Sequence, residues 1–140
     1  SISRALCEYV LSETTMKGGA YMHCIVYDYW NAIHQQRFDD VRALFHETAQ
    51  ITWPNTQEVF KLDDFIYVNE VYPGEWEEEV LHIYEANDIL ISEASVKGKD
   101  MTFLTIGIFQ IRNGKIADLR EYWTAVEEIP QWRKELLKQD

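Results

Sequence analysis

The hydrophobic pattern along the chain predicts an α+β domain, with helices first and an antiparallel meander after them. Three observations carry this. Residues 20–71 hold apolar stripes at helical spacing, interrupted by one short pair of strand-like segments. Residues 76–126 hold four long strand-like stretches separated by Asn87-Asp88, Lys97-Gly98-Lys99-Asp100 and Asn113-Gly114, all hairpin signals. The length, 140 residues of which 46% are hydrophobic, suits one domain with one core.

The elements follow in order. Ile2, Leu6, Tyr9 and Val10 share one helical stripe over residues 2–10, and Ser12 to Gly19 reads as a linker. Residues 1–19 are therefore an N-terminal extension, packed on the body or on a partner subunit, or else loosely held, and 20–140 are the domain proper. From Ala20 to about Gln36 runs a longer helix with two stripes, Tyr21-Ile25-Tyr29-Ile33 and Met22-Val26-Trp30-His34. A helix apolar on two stripes contacts structure on more than one side. Asp39 and Asp40 open a second helix, where negative charge suits the N-terminal end, and it ends near Glu47. Gln50 to Trp53 is a strand stopped by Pro54, and Glu58-Val59-Phe60 returns beside it. Asp63 caps a short third helix that breaks at Tyr72-Pro73-Gly74. Strands follow over 76–86, 89–98, 101–112 and 115–126. Pro130 then suits the first turn of a last helix with Trp132 and Leu136 on one side.

Charge and cysteine content exclude several classes of function. A net charge of -11 argues against binding nucleic acid through phosphates, and equally against an anionic membrane surface. No apolar run approaches the roughly 20 residues that span a bilayer. Cys7 and Cys24 show neither zinc nor redox spacing and read as reduced thiols, hence a cytoplasmic protein. The four His show no ligand spacing, so no metal is expected. The scattered glycines form no phosphate loop, so no nucleotide cofactor is expected, and no other cofactor either.

The strand after Asn113-Gly114 carries the best functional candidate. Alternation puts Ala117, Leu119, Glu121 and Trp123 on one face. That face is apolar apart from Glu121, and a buried carboxylate must be paired, protonated or facing a cavity. Glu121 is thus a candidate general acid or base, or else the partner of a core Tyr, Arg or His. His46, at the end of the second helix, and His82, beside Val80 and Tyr84, are candidate second groups. A His at a helix end is also favoured electrostatically whatever its role. Trp30, Trp53, Trp76 and Trp123 are candidate ring walls, although core packing accounts for such residues equally well. Asn69 and Tyr72 are placed at a pocket mouth. His23 and His34 read as surface or core-edge residues. The strand 101–112 is apolar on both faces, so helices cover one face and a second copy of the chain covers the other, giving a homodimer through the sheet.

Taken together, Ile51-Thr52-Trp53-Pro54, Tyr72-Pro73-Gly74-Glu75-Trp76, Asn113-Gly114-Lys115-Ile116 and Arg120-Glu121-Tyr122-Trp123, in this order of elements, resemble the nuclear transport factor 2-like superfamily and its SnoaL-like, polyketide cyclase-like branch. The resemblance covers roughly Tyr21 to Arg133. It implies a cone-shaped, cystatin-like roll whose strongly curved antiparallel sheet carries the helices on its concave face and encloses one deep pocket. Members include ketosteroid isomerases, epoxide hydrolases, polyketide cyclases and dehydratases, and others only bind. The isomerases' acidic base falls here on Trp53. The hydrolases' Arg-Asp-Tyr becomes Arg120-Glu121-Tyr122, and their Arg-x-Asp on a neighbouring strand is missing. The expected function is a small-molecule pocket for an apolar or aromatic ligand, with cofactor-free isomerisation, cyclisation, dehydration or hydration. The alternative is a non-catalytic binding or interaction module.

Overall fold

The computed structural model describes Cys7 and residues 22–137. Its elements are α1 (Cys24–His34), α2 (Phe38–Ala43), β1 (Phe45–Trp53), β2 (Glu58–Lys61), α3 (Leu62–Val71), β3 (Glu77–Ala86), β4 (Ile89–Lys97), β5 (Thr102–Arg112), β6 (Lys115–Ala125) and α4 (Gln131–Leu137). The α+β class and the long hairpins stand as expected. Asn113 and Gly114 both take positive φ, the conformation that a two-residue hairpin turn requires.

The six strands form one curved sheet in the order β2-β1-β6-β5-β4-β3. Its strands are not all antiparallel. β6 lies between β5 and β1, antiparallel to the first and parallel to the second, with Thr52 opposite Arg120. Pairing with β6 also moves the second helix's end: α2 stops at Ala43 and β1 begins at Phe45, opposite Ile116. His46 and Glu47, expected at a helix end, are therefore strand residues. α3 starts after Lys61 with no side-chain cap, and Asp63 instead pairs with Arg42 of α2.

Phe109, Leu119, Leu90 and Ile51 lie side by side on the inner face of the sheet and are fully buried. α1 and α3 cover that face. Tyr29 of α1 packs edge-on against Phe109 at 5.4 Å between ring centres, and Phe65 of α3 lies tilted against Phe45 at 6.1 Å. A register shift at Gln110/Ile111 breaks simple alternation on β6, so Ile116 rather than Ala117 is the buried residue near its start. α4 buries none of its residues: Trp132 and Leu136, expected on one side of it, are 64% and 69% exposed.

Two expectations concern the N-terminal region. The leader helix and linker lie outside the described residues except for Cys7, which is buried. The reading of Cys7 and Cys24 as reduced thiols is corrected. They form a disulfide that ties Cys7 to the start of α1. Disulfides persist mainly in oxidising compartments, so the cysteines lend no support to a cytoplasmic location.

Candidate functional site

Strand pairing decides which side chains enter the space between sheet and helices. Glu121 stands opposite Gly107, which stands opposite Ser92, so two small residues leave room beside the carboxyl. Gly107 cannot be enlarged freely, since a Cβ there meets the Phe109 ring at 2.9 Å. The Glu121 side chain is 1% exposed. Tyr29 donates its hydroxyl to Oε2 at 2.9 Å, and Trp53 donates its indole N–H to Oε1 at 3.0 Å. Burial lifts the carboxyl from its ordinary 4.5 to about 7, against the opposing pull of those two hydrogen bonds. Burial first, and then the Glu121 charge, push the Tyr29 phenol well above its ordinary value, so Tyr29 remains a donor.

Glu121 borders a cavity of about 1,050 Å³. Rings form much of its wall: Trp30, Trp53, Trp76, Trp123, Phe103 and Tyr72. The four tryptophans expected there are all present. Trp123 meets Trp30, Trp53 and Phe103 edge-on. Pro54 ends the β1 ladder, and the Asn55 side chain continues it, donating to the Trp123 carbonyl and accepting from the Trp123 N–H. This device fixes Trp123. Asn69 and Tyr72 also line the cavity, although the Asn69 amide is spent on the Phe65 carbonyl one helical turn back. The exposed side chains of Glu58, Glu75, Glu77, Lys97 and Lys99 lie at its opening.

Two buried donors in this wall lack partners. Among the described residues, the indole nitrogens of Trp30 and Trp123 have no hydrogen-bond acceptor. Buried N–H groups are normally satisfied, so each is a candidate contact for an acceptor atom of a ligand.

The two histidines proposed as second groups are not in the cavity wall. His46 points its Nε2 to the Arg112 carbonyl, at the end of the β5–β6 hairpin. His82 is exposed on the outer face, its ring centre 6.1 Å from that of Tyr84. The cause is a bulge between Val80 and His82, which leaves Val80 facing inward and turns His82 outward. In their place the cavity holds His34, whose Nδ1 lies 3.0 Å from Glu78 Oε2 and 3.2 Å from the Trp76 carbonyl oxygen. The Glu78 side chain is largely buried, which raises its pKa, and His34 opposes that rise. His34 had one signal in the sequence, its place one turn beyond Trp30 on the same stripe. Glu78 had none, because only pairing with Val96 distinguishes it from Glu77 and Glu79. Among the described residues, no group of three His, Cys, Asp or Glu side chains is arranged to hold a metal.

Residues 26–119 match the family model of the SnoaL-like domain. The chain belongs to the SnoaL-like domain family. Among curated proteins none matches this SnoaL-like domain in sequence. Solved structures share its fold. A candidate ketosteroid isomerase from Kribbella flavida superposes with a TM-score of 0.73 at 18% identity, over 82% of this chain and 86% of that one. An NTF2-like protein of unknown function from Burkholderia xenovorans gives 0.72 at 22% identity, over 81% and 91%. IdmH, a candidate polyketide cyclase from Streptomyces antibioticus, gives 0.68 at 12% identity, over 74% and 91%. At these identities the likeness establishes the nuclear transport factor 2-like fold of this SnoaL-like domain.

Proposed function

We propose that this SnoaL-like domain binds an apolar or aromatic small molecule and performs cofactor-independent acid/base chemistry on it, with Glu121 moving the proton. One observation carries the reading. A carboxyl buried at the wall of a ring-lined cavity, with no cation beside it among the described residues, is held near neutral pH. A carboxyl so placed can both accept and return a proton at pH 7. Tyr29 and Trp53 hold its two oxygens and orient its remaining lone pairs. The unpartnered indole N–H groups of Trp30 and Trp123 favour a ligand carrying an oxygen acceptor on its apolar body. Isomerisation and cyclisation, the reactions in the names of two structural relatives, both need proton transfer of this kind.

The test is a binding and turnover screen of aromatic, terpenoid and polyketide-like compounds on wild type and Glu121→Gln. Turnover lost in the variant, with binding retained, supports catalysis by Glu121. Binding without turnover in both proteins replaces it by a carrier or sensor function.

We also propose that the protein is a homodimer joined through the outer face of the sheet. Ile91, Ile108, Ile106 and Tyr122 are adjacent there, with Leu104 and Tyr84 flanking them. Leu104 and Ile106 are 36% and 40% exposed in the single chain, an apolar surface that a second copy would cover.

A further inference from the structure

Proton relocation within one substrate is easiest with two groups, one to take the proton and one to give it. The geometry around His34 supplies a second. Its Nδ1 faces two acceptors at once, the Trp76 carbonyl oxygen at 3.2 Å and Glu78 Oε2 at 3.0 Å. A carbonyl oxygen cannot donate, so the ring proton must sit on Nδ1. The neutral ring then carries its lone pair on Nε2, which has no hydrogen-bond partner among the described residues. The ring is half exposed and borders both the main cavity and a smaller recess of about 370 Å³, and Trp30 borders both as well. The other charged groups lining that recess are Glu77 and Glu79 on β3 and Lys97 on β4.

We propose that His34 is the second proton-transfer group of this cavity, with Nδ1–H held by the Trp76 carbonyl and Glu78 and Nε2 presented to the ligand. Glu78 is its positioning residue. This deepens the preceding proposal and rests on its reading of the cavity as an acid/base site.

The experiment needs no knowledge of the natural substrate. In ¹⁵N-labelled wild type, imidazole nitrogen shifts report which ring nitrogen of His34 is protonated. In parallel, 5-nitrobenzisoxazole serves as an aromatic probe of proton abstraction. A base removes its ring C–H proton, the released electron pair completes a nitrile, the N–O bond breaks and the oxygen leaves as a coloured phenolate. The expected result is an Nδ1–H tautomer in wild type and a kcat for the probe about 10²-fold lower in His34→Gln, with KM within about twofold of wild type. An Nε2–H tautomer overturns the proposal, even if the variant fails to fold. So does a kcat unchanged by His34→Gln, including the case in which neither protein opens the ring. Glu121→Gln, assayed beside it, separates the two readings. Loss confined to Glu121→Gln removes His34 and keeps Glu121, and loss confined to His34→Gln does the reverse.

Discussion

At Glu121, burial and hydrogen bonding pull in opposite directions, and burial wins. This has a measurable sign. Between its ordinary 4.5 and about 7 the unfolded chain gives up the Glu121 proton while the folded chain keeps it. Stability therefore falls as pH rises through that window, by about 3 kcal/mol in total for this group. Glu121→Gln, neutral at every pH, should remove that slope and be more stable than wild type at pH 8, as read from urea midpoints at pH 5 and pH 8. Equal slopes in the two proteins would mean that Glu121 is not buried as described. Glu121 was legible because a lone carboxyl on an apolar strand face is anomalous within a single segment. Its partner Tyr29 was not, because the hydroxyl reaches a residue 92 positions away and sits on a stripe that core packing explains equally well. His82 was misplaced for a related reason: one bulged residue reverses every side chain before it relative to those after it.

The turn after β4 and the segment before β3 meet at one point of the cavity wall. The Trp76 ring lies flat on Gly98, where an added Cβ would fall 2.6 Å from it, and its indole donates to the Pro73 carbonyl at 3.0 Å. Gly98→Ala should push the ring aside rather than break the fold. The expected outcome is a changed ligand affinity with a cost to stability of about 1 kcal/mol or less, measured by calorimetric titration beside thermal melts. A large drop in melting temperature with unaltered binding would contradict it. Among elements, the hairpins were legible because their turns carry local chemistry, Asn113-Gly114 above all. The early end of α2 and the parallel placing of β1 were not. Phe38, Val41, Leu44 and Phe45 fit a helix as well as they fit a helix followed by a strand, and the choice is made by β6, far along the chain.

For the molecule as a whole, a net charge of -11 must be accommodated together with four carboxyls, Asp28, Glu78, Asp118 and Glu121, whose pKa values burial raises. All four act in the same direction, so stability should peak on the acidic side of neutrality. The outer sheet face makes a separate prediction. Sedimentation at micromolar concentration should show a dimer for wild type and a monomer for Ile106→Glu, which sets a second carboxylate opposite Glu93 on that face. A monomeric wild type would refute the interface. The two-faced strand β5 was enough to raise that question from sequence alone, since Leu104, Ile106 and Ile108 alternate with Phe103, Phe109 and Ile111.

The position of β6 bears on how the chain folds. Without it, β1–β2 and β3–β4–β5 share no hydrogen-bonded ladder and are two separate sheets. β3, β4 and β5 can zip through neighbouring hairpins, whereas β1 must wait for a strand that begins some 60 residues after it ends. Joining the halves is thus a non-local event of the kind that slows folding. Glu121 rides on the joining strand and one of its two hydrogen-bond donors, Trp53, comes with β1, so the acid is fully held only in molecules whose two half-sheets have already become one.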